Sequence, residues 1–217
     1  MLYKYLPAKY ISAVLDNGEI LFRNLTYFQQ HEGKVRGDLY EGIHVDYPET
    51  DIVLKNNAGK SLAVERFSFL NSINPDTVFA FCLSKRFSKN LMNEFECDSC
   101  IEIFKPNEFI RRVRYRLASL ISVHKVGLLA QSVHYYHPIK PAPFDTKNPI
   151  QIAFAKNEFY KDQEEFRLCF GTRQSFKLTQ KIVLPQYNPH DEALKGQCKE
   201  KLIKIGALND IANVIRL

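Results

Sequence analysis

The chain has 217 residues, of which 45% are hydrophobic and 12% aromatic, enough to bury a substantial core in one domain or at most two small ones. No apolar run approaches the roughly 20 residues that span a bilayer, and the first residues resemble a strand rather than a secretory segment. We therefore expect a single domain over residues 1–217 of a soluble cytoplasmic protein with no membrane partner.

The formal net charge of +6 favours an anionic partner, which includes nucleic acid, a nucleotide cofactor or an acidic protein. Five cysteines contain one Cys-x-x-Cys pair, Cys97 and Cys100, with no second pair and no histidine nearby. A structural zinc site would lack two of its four ligands. We expect reduced thiols and no bound metal.

The predicted elements are short strands and helices without a dividing linker or an internal repeat. The first half is predicted to contain a strand at 2–6, a helix at 8–15, a strand at 19–28, a long loop region with short elements at 29–65, a buried central strand at 77–84, a short helix at 88–95 and a strand at 99–104. The second half is predicted to contain a helix from 106, a strand at 132–136, a helix at 149–160, a strand at 163–170, strands at 182–184 and 202–205, and a helical turn at 208–212. This order predicts an α+β fold with mixed, mainly antiparallel, short-stranded sheets and flanking helices.

The segment at 163–170 is the most informative, because its side chains alternate between two faces if it forms a strand. One face then carries Phe166 and two further apolar residues, and the other carries Gln163, Glu165 and Arg167 next to one another. The polar face indicates either the wall of a site or a half-exposed strand with polar residues facing water.

Several short motifs follow one another along the chain. They are Leu2-Tyr3-Lys4-Tyr5, Gly18-Glu19-Ile20-Leu21-Phe22-Arg23-Asn24, Phe81-Cys82-Leu83-Ser84, Asn90-Leu91-Met92, Cys100-Ile101-Glu102-Ile103, Ser132-Val133-His134-Tyr135, Lys156 with Gln163-Glu164-Glu165-Phe166-Arg167, and Ile205-Gly206-Ala207-Leu208-Asn209-Asp210-Ile211. In order and spacing, these motifs resemble the DUF2971 family of bacterial proteins. The resemblance covers nearly the whole chain. Three positions depart from the family pattern: Asn93 replaces a Trp, Gln163 a Glu, and Lys4 an Arg or His.

The DUF2971 family is similar to the ADP-ribosyltransferase superfamily, and this resemblance implies an ADP-ribosyltransferase-like fold that uses NAD. It implies Glu165 as the catalytic carboxylate, and Gln163 as the residue that orients the acceptor. A carboxylate beside the ribose can stabilise the oxocarbenium-like transition state of nicotinamide release if it stays ionised. Arg167 on the same face would keep Glu165 ionised.

Most candidate cofactor residues lie on the first two predicted strands and at the end of the central strand. Cations for the pyrophosphate would be Lys4, Arg23 and Arg36, aromatic walls for the nicotinamide would be Tyr5, Tyr27 and Phe28, and Ser84 and Arg167 would also face the cleft. The alternative for each aromatic residue is a place in the core, and for Ser84 a capping role.

Four arginines crowd the helix that begins at residue 106, namely Arg111, Arg112, Arg114 and Arg116. They form either a phosphate-binding face or a solvated face over the core. Two hypotheses follow. The first is a transferase that moves ADP-ribose from NAD to nucleic acid or protein, as a bacterial or phage conflict toxin or defence effector, and an antitoxin that neutralises it would be a further partner. The second is a non-catalytic, basic nucleic-acid-binding module on the same fold.

Overall fold

The computed structural model describes residues 1–31, 37–47, 52–55, 57–64, 67–120, 122–184, 188, 191 and 193–216. The strands are β1 (Leu2–Leu6), β2 (Glu19–Asn24), β3 (Ile43–Asp46), β4 (Ile52–Lys55), β5 (Ser61–Val64), β6 (Ser68–Ser72), β7 (Val78–Ser84), β8 (Ser99–Ile103), β9 (Leu129–Ser132), β10 (His134–Tyr136), β11 (Ala155–Asn157), β12 (Glu165–Gly171), β13 (Thr179–Val183), β14 (Glu200–Lys204) and β15 (Ala212–Arg216). The α-helices are α1 (Ile11–Leu15), α2 (Leu25–Gln30), α3 (Lys89–Glu94), α4 (Pro106–Ala118) and α5 (Pro149–Ala153), with 3-10 helices at Ala8–Tyr10, Pro75–Thr77 and Glu158–Gln163.

The predicted α+β class with mostly antiparallel sheets is confirmed. The large sheet has the order β14-β2-β7-β1-β8-β15, and β12 and β9 extend it from the other edge of β7. All its pairings are antiparallel, whereas β10 and β11 form a separate parallel pair. Smaller antiparallel sheets are formed by β13-β6-β3 and by β4-β5.

Strand β7 is the centre of the large sheet, as expected for its nearly continuous apolar sequence. It pairs with β12 along its whole length on one side. On its other side, Ser84 lies opposite Tyr3 of β1, and Ala80 lies opposite Arg23 of β2. Strands β1 and β2 therefore share one edge of β7, and the sheet is split between them.

The main core lies between one face of this sheet and helix α4. Phe22 of β2 is fully buried, with ring centroids 5.8 Å from Phe81 and 5.1 Å from Phe170. Phe109 of α4 is also fully buried, and its ring lies 6.2 Å from that of Phe81. Phe109, Val113 and Leu117 recur at helical spacing and are all buried, so the apolar stripe of this helix faces the sheet.

Several predicted boundaries were wrong, among them that of the strand predicted at 132–136, which is divided between β9 and β10. Strand β2 stops at Asn24 because the Asn24 side chain accepts a hydrogen bond from Tyr27 N at 3.3 Å and caps helix α2. The short elements expected within the loop region 29–65 include β3, β4 and β5. The helix predicted at 149–160 ends at Ala153, where β11 follows. The single helical turn predicted at 208–212 is present, because Leu208 O accepts from Ile211 N and from Ala212 N at 2.8 Å each, and β15 begins at Ala212.

Candidate active site

A buried ion cluster lies where β11 and β12 meet the segment before β3. We call Glu41, Lys156, Glu165 and Arg167 the ion cluster. The Arg167 guanidinium donates to both Glu41 carboxylate oxygens at 2.8 Å each, and its Nε donates to Glu165 Oε1 at 2.7 Å. Lys156 Nζ donates to Glu165 Oε2 at 3.1 Å and lies 3.6 Å from Glu41 Oε1. None of the four residues is more than 4% exposed.

The charges of the cluster stabilise one another. Burial raises the pKa of Glu165, but the positive charges of Arg167 and Lys156 outweigh burial and hold this pKa below its usual range. Burial lowers the pKa of Lys156, and the carboxylates of Glu165 and Glu41 more than reverse this effect. Two carboxylates thus face two cations, and Glu165 is ionised at neutral pH.

Gln163, Glu165 and Arg167 lie together, although Gln163 is not part of the strand. Gln163 ends the 3-10 helix, and Glu164 adopts a left-handed backbone with φ of 40°, so that β12 begins at Glu165. Lys156 Nζ donates to Gln163 Oε1 at 3.1 Å, as it does to Glu165. The alternative in which the polar face of this strand meets water is wrong for Glu165 and Arg167, which are 3% and 0% exposed.

A row of polar side chains crosses three neighbouring strands beside the cluster. Tyr3 of β1 lies opposite Ser84 of β7, and Ser84 lies opposite Glu165 of β12. Residues directly opposite in antiparallel strands place their side chains on the same face. We call Tyr3, Ser84 and Glu165 the polar row.

Lys4 does not join this row, which corrects its expected place in the cofactor cleft with Ser84 and Arg167. Because side chains alternate along β1, Lys4 lies on the opposite face of the sheet. Its Nζ lies 4.4 Å from the Phe81 ring centroid and donates to the Cys82 carbonyl at 2.9 Å. Lys4 therefore occupies the split between β1 and β2.

Tyr5 and Ser84 support the loop after β7. Tyr5 is 7% exposed and packs in the core with Met92 and Cys100, which corrects its assignment to a nicotinamide wall. Its hydroxyl donates to Arg86 O at 3.0 Å and accepts from Ser88 N at 2.7 Å. The Ser84 hydroxyl donates to Arg86 O at 2.8 Å and accepts from Arg86 N at 3.2 Å, so it stabilises a turn, while the N-cap of α3 is Ser88.

The remaining predicted cofactor residues form a separate group. The Arg23 guanidinium stacks 3.9 Å from the Tyr27 ring centroid and pairs with Glu200 at 3.0 Å. Tyr27 and Phe28 lie on α2 instead of the predicted strand, with ring centroids 5.3 Å apart. Arg36 lies outside the described residues.

Helix α4 carries the four arginines as predicted, but two of them are engaged within the chain. Glu108 accepts from Arg111 at 2.7 Å and from Arg112 at 2.8 Å, and Arg112 also pairs with Asp210. Arg114 and Arg116 are exposed. The basic face is therefore smaller than the sequence indicates.

Sequence reasoning did not select Glu41, Lys156 or Tyr135 as site residues. Lys156 was part of the family motif, which was a usable signal. Tyr135 accepts a hydrogen bond from Glu165 N at 2.8 Å, and burial raises its pKa to about 12. Glu41 contacts Arg167 across 126 positions of sequence, and no local pattern indicates such a contact.

Other features of the described chain add no further site. A hollow of about 580 Å³ is lined by Tyr47, His137, Ile139 and Phe159 among others, but by none of the predicted site residues. Within the described ranges, no three His, Cys, Asp or Glu residues are grouped to hold a metal ion. No helix in those ranges is both long and apolar enough to cross a bilayer.

Comparison of the chain with known proteins found no matching family model, no matching curated protein and no matching solved structure.

Proposed function

We propose that the chain is an NAD-dependent ADP-ribosyltransferase that modifies nucleic acid or protein, on an ADP-ribosyltransferase-like fold, and that it acts in bacterial or phage conflict. The observation that carries the proposal is Glu165. It is a carboxylate kept ionised by Arg167 and Lys156, at the start of a strand and beside Gln163. These are the residue types and spacing of the motif whose resemblance implies this chemistry.

The polar row offers groups suited to NAD. Arg86 follows the row, its side chain is 61% exposed, and it pairs with Glu164 at 3.3 Å, so its guanidinium can meet a pyrophosphate. Tyr3 and Phe87 have ring centroids 6.0 Å apart and can contact a flat ring. In this proposal Arg86 and Tyr3 replace Lys4 and Tyr5. Because Glu165 is 3% exposed, a ribose reaches it only after local opening beside Ser84.

The proposed reaction exchanges one bond at the ribose. The bond between ribose C1′ and the nicotinamide nitrogen breaks, and nicotinamide leaves with the electron pair. A bond forms between C1′ and the acceptor, which releases a proton. Glu165 stabilises the positive charge that develops on the ribose, and Gln163 orients the acceptor through its amide.

The test is transfer of label from NAD to macromolecules in a cell lysate by the wild-type protein and by Glu165→Gln. The substitution removes the negative charge and nearly preserves shape, so we expect labelling to fall by about 10²–10³-fold, as on loss of one electrostatic contact to a transition state. Loss of the label on nuclease treatment identifies nucleic acid as the acceptor, and loss on protease treatment identifies protein.

The matched control is Glu41→Gln. Glu41 belongs to the same buried cluster and contacts the same guanidinium, but it lies outside the Gln-x-Glu motif. Thermal melting compares how much each variant loses in stability. We expect Glu41→Gln to lose stability to a similar extent but to lose far less labelling than Glu165→Gln. Equal loss of labelling in both variants, or no label from the wild-type protein, contradicts the proposal.

Exposed Arg114 and Arg116 on α4 favour the second candidate, a non-catalytic nucleic-acid-binding module. In this case R114Q/R116Q should lower the slope of log binding constant against log salt concentration by the amount that about two phosphate contacts contribute. Fluorescence anisotropy of a labelled oligonucleotide at several salt concentrations measures that slope. Arg111→Gln is the control, because Glu108 already neutralises Arg111, and its effect should be smaller. An unchanged salt dependence in R114Q/R116Q excludes α4 as the binding face.

A further inference from the structure

The segment before β3 is attached to the ion cluster by side chains and by backbone. We call residues 37–42 the docking segment. Glu41 binds Arg167 through both carboxylate oxygens at 2.8 Å. The Gly42 carbonyl accepts from Ile73 N at 3.0 Å, and the Gly37 carbonyl accepts from the Tyr160 hydroxyl. The docking segment therefore contacts several elements that are distant in sequence.

Asp38 lies at the start of this segment and is 4% exposed. Its Oδ1 accepts from Tyr40 N at 3.0 Å, while its Oδ2 has no hydrogen-bond partner within the part of the chain that the structure describes. An unpartnered carboxylate oxygen is costly to bury when ionised. The titratable and charged groups that face Asp38 are Tyr40 and Glu41 of the docking segment, Tyr136 of β10, Lys156 of β11, Tyr160 of the 3-10 helix and Arg167 of β12.

The charge balance of the ion cluster depends on Asp38. With a protonated Asp38, the two carboxylates of Glu41 and Glu165 balance the two cations. An ionised Asp38 adds a third negative charge close to Glu41. Burial and the negative charge of Glu41 together raise the pKa of Asp38 from an ordinary value of 3.8 to about 6.

We propose that Asp38 is a pH-sensitive latch of the docking segment: the segment is bound firmly while Asp38 carries a proton and less firmly once Asp38 is ionised. This inference does not depend on the proposed transferase activity.

The direction of the pH effect follows from the proton affinities of the two states. The docked state binds the Asp38 proton more tightly than the opened state, in which the ordinary value of 3.8 applies. The docked state is therefore most stable below pH 3.8. It loses stability as the pH rises through about 6, and it stays less stable above that pH. The difference between the two pKa values corresponds to roughly a hundredfold change in the opening equilibrium.

The test is hydrogen exchange of the backbone amides of the docking segment at pH 5 and pH 8, corrected for the intrinsic exchange rate. In the wild-type protein we expect protection to fall by about tenfold between the two conditions, because the opened state is already largely ionised at pH 5. In Asp38→Asn, which carries no charge at either pH, protection should be nearly the same at both. A wild-type protein without this change, or a variant that keeps it, overturns the proposal.

Asp46→Asn is the matched control, because Asp46 is exposed at the end of β3 and its loss should leave the wild-type pH dependence intact. A second measurement uses the wild-type protein alone. In NMR spectra of carbon-labelled protein, the carboxyl carbon signals should include one aspartate that titrates near pH 6. Absence of any aspartate with a raised midpoint also overturns the latch.

Discussion

Replacing Arg167 with methionine is expected to lower the free energy of unfolding by about 3–5 kcal/mol, measured by urea denaturation. Methionine has a similar length but no charge, so Glu41 and Glu165 would remain buried beside Lys156 alone. Removing one partner from a buried ion group costs far more than the pair contributes, since the charges left behind have lost their hydration.

Arg23→Met is the matched control for this prediction. Arg23 also pairs with a glutamate, but its side chain is 31% exposed and that of Glu200 is 53% exposed. Water screens such a pair, and its loss should cost about 1 kcal/mol or less. If R167M and R23M lose similar stability, the cluster is not the strong constraint inferred here. Adding Glu41→Gln to R167M should cost less than Glu41→Gln alone, because one unpaired carboxylate is removed.

Gly18→Ala is expected to lower the free energy of unfolding by about 2–5 kcal/mol, which combines the cost of a left-handed backbone with that of overpacking. Gly18 has φ of +64°, and a Cβ built on it would lie 2.0 Å from the carbonyl oxygen of Gly206. The contact is with backbone, which cannot turn aside as a side chain would. Thermal or urea denaturation measures the loss.

Gly127→Ala separates the two contributions. Gly127 has φ of +70°, but a Cβ there meets nothing within 4 Å. It should therefore lose only the backbone cost, about 1–2 kcal/mol. Equal losses at Gly18 and Gly127 would show that the close approach of Gly206 relaxes at little cost.

Local patterns in the sequence predicted the parts of the fold that depend on neighbouring residues. The apolar run of β7 predicted a buried central strand, and alternation over the strand predicted at 163–170 grouped Gln163, Glu165 and Arg167. The apolar stripe of α4 predicted a helix packed on the core. Each of these signals is contained within a few residues of one element.

The parts that sequence reasoning missed depend on pairing between distant segments. Alternation placed Lys4 and Tyr3 on opposite faces of β1, but only the pairing of β1 with β7 and β8 decides which face meets Glu165. Glu41 was overlooked because its partner lies on another element. Tyr27 was placed on a strand because the capping bond of Asn24 was not anticipated, although Asn is a favoured N-cap residue.

The ion cluster also bears on how the chain folds. Glu41 and Arg167 are 126 positions apart, so their contact requires the closure of a long loop. The conformational entropy of that loop is lost before the contact can form. Charges keep their hydration until that closure is complete. The cluster should accordingly assemble after the rate-limiting transition state and slow escape from the native state, acting as a kinetic barrier to unfolding more than as a nucleus for folding.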